Sequence, residues 1–146
     1  MADTQFYTIE AAFTLATEVK TALAASKLRL CQTPFVATPT STKAEMVAAE
    51  ATFDGYTAGG YALAAYIGPG FADGGGAKIT SPLASPAYGP AGAPPVTNEI
   101  SSWWIEDASG DVRVAGVFNP VRPMATVGDI LEFVAQLVLG RNAIAV

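Results

Sequence analysis

Residues 99–120, EISSWWIEDASGDVRVAGVFNP, constrain the fold more than any other stretch. Residues 100–107 carry two adjacent tryptophans and two isoleucines, and residues 112–118, VRVAGVF, are rich in β-branched and aromatic side chains. Ala108-Ser109-Gly110-Asp111 between them is turn chemistry, so the stretch reads as two antiparallel strands joined by a tight turn. Side chains alternate across a strand. Trp103, Ile105 and Asp107 therefore share one face, and Trp104 and Glu106 the other. One indole is expected in the core and the other under a helix, a loop or a partner, because exposing it forgoes about 2 kcal/mol of burial. On the return strand Val112, Val114, Gly116 and Phe118 fall on one face, with Gly116 placed to relieve crowding opposite an indole. Asn119-Pro120 and Pro123 are expected to break the ladder.

The chain around this hairpin is apolar. Of 146 residues, 51% are hydrophobic and only 14% charged, and the mean hydropathy is +0.33. Such a composition excludes disorder and leaves enough chain for a single core-forming domain. The low charge also points to buried subunit interfaces. A net charge of −5 with 8 Lys and Arg, and no basic block, argues against nucleic acid and against an anionic membrane surface as partners. The single Cys31 excludes an intrachain disulfide, and the absence of histidine removes His-based nucleophile activation and His-ligated zinc. No stretch is long and apolar enough to span a membrane. MADTQFYTIE lacks a basic n-region before an apolar run, so no signal peptide is expected.

The rest of the chain divides into an N-terminal helical segment, 1–26, and a β-rich body, 27–146. Over residues 8–25, Ile9, Ala12, Phe13, Ala16, Val19 and Leu23 recur at helical spacing, with Thr8 as N-cap. Lys27-Leu28-Arg29-Leu30-Cys31 alternates as a strand with Leu28 and Leu30 inward. Cys31, on the other face beside Arg29, is expected to be an inert small side chain. Thr42-Lys43-Ala44-Glu45 matches a capping box, predicting a short helix with Ala44, Val47, Ala48 and Ala51 on its packed side. Residues 61–67, YALAAYI, read as one strand closed by Gly68-Pro69-Gly70. Asp73-Gly74-Gly75-Gly76 reads as a bend rather than a phosphate loop, because Lys78-Ile79-Thr80-Ser81-Pro82 continues as a strand, not a helix. Residues 82–98 hold five prolines and are expected to form a long extended loop, with an edge strand at most near Tyr88. Residues 129–139, DILEFVAQLVL, fit either a helix or a strand. The Gly128 turn and the neighbouring strands favour a strand with Leu131, Phe133, Ala135, Leu137 and Leu139 inward. Gly140-Arg141-Asn142 ends it before an apolar tail.

Little in the sequence can do chemistry. A hydrolytic carboxylate pair must converge in one cleft; Glu50 and Asp54 are close in sequence, but nothing in their spacing shows such convergence. Asp107-x-Ser109-x-Asp111 lacks the distal glutamate of a calcium loop and reads as a turn. No catalytic residue, metal site or cofactor is expected.

Three stretches carry a resemblance: AASKLRLCQTPFVATPTSTKAEMVAAEATFDGYTAGG, GGAKITSP and NEISSWWIEDASGDVRVAGVFNPVRPM. Together they resemble small virion structural proteins of tailed bacteriophages and prophages, such as head decoration (cement) or tail-associated subunits. The resemblance covers residues 25–125 and includes no catalytic motif. It implies a non-enzymatic protein, made in the host cytoplasm and carried in the virion. The implied fold is a mainly β sandwich or jelly-roll-like barrel preceded by a helix, and the implied assembly a homotrimer. A cement protein would bridge subunits of the major capsid protein. A tail or fibre subunit is the alternative, with Tyr56, Tyr61, Tyr88 and an exposed indole as glycan platforms. The residues expected at a partner interface are Trp103, Trp104, Tyr88, Pro94, Pro95 and Phe35.

Overall fold

The computed structural model describes residues 4–5, 8–63, 65–140 and 144–145. Its elements run β1 (Thr4–Gln5), α1 (Ile9–Ala22), β2 (Ser26–Gln32), α2 (Lys43–Ala48), β3 (Tyr61–Leu63), β4 (Ile67–Phe71), β5 (Ala77–Thr80), β6 (Asn98–Glu106), β7 (Val112–Met124), β8 (Gln136–Leu139) and β9 (Ile144–Ala145). The fold is mainly β, with an N-terminal helix and one short second helix. A four-stranded sheet has the order β3-β2-β6-β7, a three-stranded sheet the order β4-β5-β8, and β1 pairs with β9. All these pairings are antiparallel. The sheets remain open and do not close into a barrel.

The tryptophan hairpin is the spine. β6 pairs with β2 on one side and β7 on the other, and Trp103 falls opposite Gly116 and Leu30. Leu28, Leu30, Ile100 and Ile105 enter the main core together with Ala77, Ile79, Leu131 and Phe133 from the other sheet. Trp103 links the layers edge-on to Phe133, with ring centroids 4.9 Å apart. α1 closes one end of this core with Ala12, Ala16 and Leu23, its small residues allowing close approach to the three-stranded sheet. Thr8 caps it, accepting from Ala11 N, and Lys20 in its last turn donates to the Gly68 carbonyl at 2.7 Å. Ile9, assigned by periodicity to the packed face, is 43% exposed.

Several expectations are corrected. The bulge between Ile105 and Glu106 shifts Val112 out of the row of Val114, Gly116 and Phe118, and it packs near Trp104 instead. The β6–β7 ladder does not stop at Pro120. It skips four residues and resumes with Ile100 opposite Arg122 and Glu99 opposite Pro123. β7 is an edge strand, where a missing proline N–H costs no inner hydrogen bond. Residues 61–67 do not form one strand. Ala65 takes φ +62 and separates β3 from β4, while Ala64 lies outside the described residues. Gly68-Pro69-Gly70 lies within β4 rather than closing a strand. The capping box at Thr42 is present, but α2 buries Met46 and leaves Ala44, Val47 and Ala48 exposed. Six residues make too short a helix to follow a four-residue stripe, and Met46 alone reaches Cys31 and Trp104.

The proline-rich stretch is half strand-like. Ser81 N donates to the Ala135 carbonyl, Ala84 and Phe133 exchange both backbone bonds, Leu131 N reaches the Pro86 carbonyl and Tyr88 N the Asp129 carbonyl. Residues 81–88 thus extend β5, and 129–135 extend β8. Proline at 82 has no N–H to give the ladder, and Ala135 N donates to Ser81 Oγ at 2.8 Å. The alternation expected for 129–139 is present: Leu131, Phe133 and Ala135 are buried, and Leu137 and Leu139 are half-buried. Of the turn expected at Gly140-Arg141-Asn142, the last two residues lie outside the described ones.

Candidate interaction surface

Arg29 and Glu106 of the four-stranded sheet, with Glu50 beside them, form a closed structural cluster. Arg29 projects from β2 on the side opposite Leu28 and Leu30. Glu50 is brought beside it because residues 49–51 pair with the end of β2: Gln32 N donates to the Ala49 carbonyl and Ala51 N to the Leu30 carbonyl. Arg29 binds Glu50 bidentately, with Nε at 3.0 Å from Oε1, and its Nη1 reaches both Glu106 oxygens at 3.3 Å. The guanidinium carbon lies 4.9 Å from the centroid of the Trp104 ring, whose Nε1 donates to Glu106 Oε2 at 3.3 Å. Tyr56 OH donates to Glu50 at 2.9 Å and accepts from Leu30 N. Lys43 lies 3.7 Å from Glu106.

The electrostatics follow from this packing. The bond to Glu50 holds the Arg29 guanidinium above its usual range. Burial by itself pushes the Glu50 carboxyl up, but the bonds from Arg29, Tyr56 and Gly59 outweigh it and hold the group below the usual carboxylate range. Burial, then the Glu50 charge, pushes the Cys31 thiol up to about 12, so no thiolate forms at neutral pH. Among the described residues no buried side-chain nitrogen or oxygen lacks a partner. A fully satisfied network of this kind fixes register.

The other candidate carboxylates also have structural work. Asp54 Oδ2 accepts from Ala91 N at 3.2 Å and Val96 N at 3.0 Å, clamping the second half of the proline loop. Asp107 is buried, accepts from Ser109 N and Asp111 N at 2.9 and 3.0 Å, and pairs with Arg113. That is turn geometry. Among the described residues no cluster of three or more Asp, Glu or Cys is placed to hold a metal ion.

The structure redistributes the residues expected at an interface. Trp104 is 0% exposed and Tyr88 is 6% exposed, so neither offers surface to a partner. Trp104 is sealed by Cys31 and Met46 on the face away from the main core, with Phe35 half-buried against the same cluster. Trp103 is the partly covered indole, and its cover is Phe133 from the same chain. Trp104 is not exposed to serve as a glycan platform. Tyr56 is held by Glu50, and Tyr61 OH accepts from Thr57 N. Pro94 and Pro95 remain exposed on the Asp54-clamped loop.

A different surface is open. The three-stranded sheet and its extensions turn Ala77, Ile79, Ala84, Leu131 and Phe133 inward, and α1 packs on that side. The opposite side carries Ile67, Leu83, Ile130, Val134 and Val138, which are 70, 59, 58, 49 and 37% exposed. The bridges of Ala84 to Phe133 and Ala87 to Ile130 place Leu83 opposite Val134, so the two form an exposed cross-strand pair. Isolated exposed aliphatics are ordinary; here five share one sheet face, interspersed with Lys78, Thr80, Glu132 and Gln136, which makes it the candidate interaction site. Sequence reading missed this face. Its signal was the even-numbered half of the 130–139 alternation, where Ile130, Val134 and Val138 accompany Glu132 and Gln136.

No protein-family model, no curated protein and no solved structure matches the chain.

Proposed function

We propose that this protein is a non-enzymatic structural subunit that works by burying its open sheet face in a symmetric assembly, as a capsid decoration protein of a tailed bacteriophage. The observation that carries the assembly reading is the set of five exposed aliphatic side chains on the outer face of the three-stranded sheet and its extensions. Covering such surface releases about 25 cal/mol per Å², and repetition over many copies turns modest contacts into a strong hold. Placement in a phage virion rests on the resemblance of the KLRL, FDGY, ITSP and WWIEDASGDV stretches to virion proteins. The partners in this reading are the major capsid protein and further copies of the chain, and the working location is the virion. The test is co-sedimentation of the purified protein with expanded shells of the capsid protein encoded in the same genome. Saturable binding that lowers shell disassembly is the expected result, and the absence of saturable binding overturns the capsid assignment.

A further inference from the structure

We infer that the open sheet face is a twofold interface between two copies of this chain, set in register by reciprocal Lys78–Glu132 ion pairs. The inference uses the same face as the assembly reading and is independent of the capsid.

The outward positions of β5, β8 and their extensions carry two charged residues among those described, one of each sign, with Arg122 lining the cleft beside Ile130 and Glu132. Lys78 stands on β5 opposite Val138, on the side opposite the inward Ala77 and Ile79. Glu132 stands between the inward Leu131 and Phe133, six residues before Val138, on the same outer side. Neither makes an ion pair within the described chain. At ~3.3 Å per residue the two charges are about 20 Å apart along the ladder, with the Leu83–Val134 pair between them.

This arrangement is self-complementary in one way. A twofold axis lying in the interface, perpendicular to the strands and midway between Glu132 and Val138, exchanges the two ends of the face. It sets Lys78 of each copy over Glu132 of the other and brings the aliphatic centres together. In a twofold contact residue i meets j and j meets i, so both pairs form at once. An axis parallel to the strands instead brings each charge to its own level and pairs neither. The homotrimer that the phage resemblance implies joins unlike surfaces and leaves this face without its match.

The experiment is sedimentation velocity over a concentration series on the full chain, with Lys78→Glu, Glu132→Lys and the double exchange, each checked for native far-UV circular dichroism. Lys78→Gln stands in should Lys78→Glu fail to fold. The expected result is a wild-type dimer of twice the 15.0 kDa protomer mass. Each single reversal should weaken it about tenfold, with recovery in the double exchange. A monomer at every concentration, a trimer indifferent to the reversals, or a dimer that both reversals leave unchanged overturns the inference. A dimer that responds as expected but does not bind capsids keeps the interface and removes the decoration assignment.

Discussion

Trp103 and Gly116 face each other across the central hairpin so closely that a β-carbon on Gly116 would lie 2.5 Å from Trp103 Cζ2. The indole cannot retreat, because Phe133 stands edge-on behind it at 4.9 Å. Sequence, strand register and contact between the layers meet at this pair.

Gly116→Ala should therefore destabilise the protein by about 1–3 kcal/mol, the usual range for overpacking. Trp103→Leu in the same background should recover part of that loss. Urea unfolding of the two single variants and the double variant measures the coupling. Strictly additive effects would show that the indole moves aside freely.

Arg29 holds two carboxylates that lie largely out of water. Arg29→Ala leaves Glu50 and Glu106 facing each other with only Lys43 nearby, and should cost about 3–5 kcal/mol, as breaking a buried ion pair does. Denaturant midpoints report the loss. A change under 1 kcal/mol would mean that water reaches the site easily.

The same network sets a pH dependence. The Glu50 carboxyl titrates below its ordinary value of 4.5 in the folded chain. A carboxylate depressed on folding contributes stability that is present above its unfolded pKa and is lost as pH falls through its folded pKa. Asp107, through its bonds from Asp111 and Arg113, and Asp129, through those from Ala125 and Thr126, shift in the same direction. Thermal midpoints should hold steady from pH 7 to 5 and fall below about pH 4.5, with a shallower fall in Glu50→Gln. A steep fall between pH 7 and 5 would contradict this account, since the chain has no histidine to titrate there.

Asp54 ties down the loop that carries Pro94 and Pro95. Asp54→Ala removes the acceptor for Ala91 N and Val96 N and should raise hydrogen exchange in residues 90–97 while leaving 77–88 protected by their ladder with 129–139. The cost should be about 1–2 kcal/mol for two lost amide bonds. Equal deprotection of both halves would show that the loop has no separate anchor.

Local chemistry was the legible part of the fold. The capping box of Thr42 and Glu45, the Thr8 cap, the hairpin turn and the alternation through 129–139 each depend on residues a few positions apart. What escaped depended on distance. Arg29, Glu50 and Glu106 are joined across separations of 21 and 77 residues, and no local pattern announces them. The bulge before Glu106 moved Val112 to the other face, a one-residue event with the same periodicity on either side of it. Prolines 120 and 123 misled because their effect depends on whether the strand is an edge. Trp104 and Tyr88 were read as interface residues from their chemistry alone. Their burial depends on Met46 and on the pairing of 81–88 with 129–135.

The open sheet face is the central claim, and its most direct test is native mass by light scattering on a sizing column, with the wild type and Val134→Lys run side by side. The wild type should elute as a defined oligomer. Val134→Lys, which places a charge in the middle of the face while leaving the inward residues unchanged, should elute as a folded 15.0 kDa monomer. A wild type that stays monomeric at high concentration, or a variant that keeps the wild-type mass, would contradict the assignment of this face as the assembly surface.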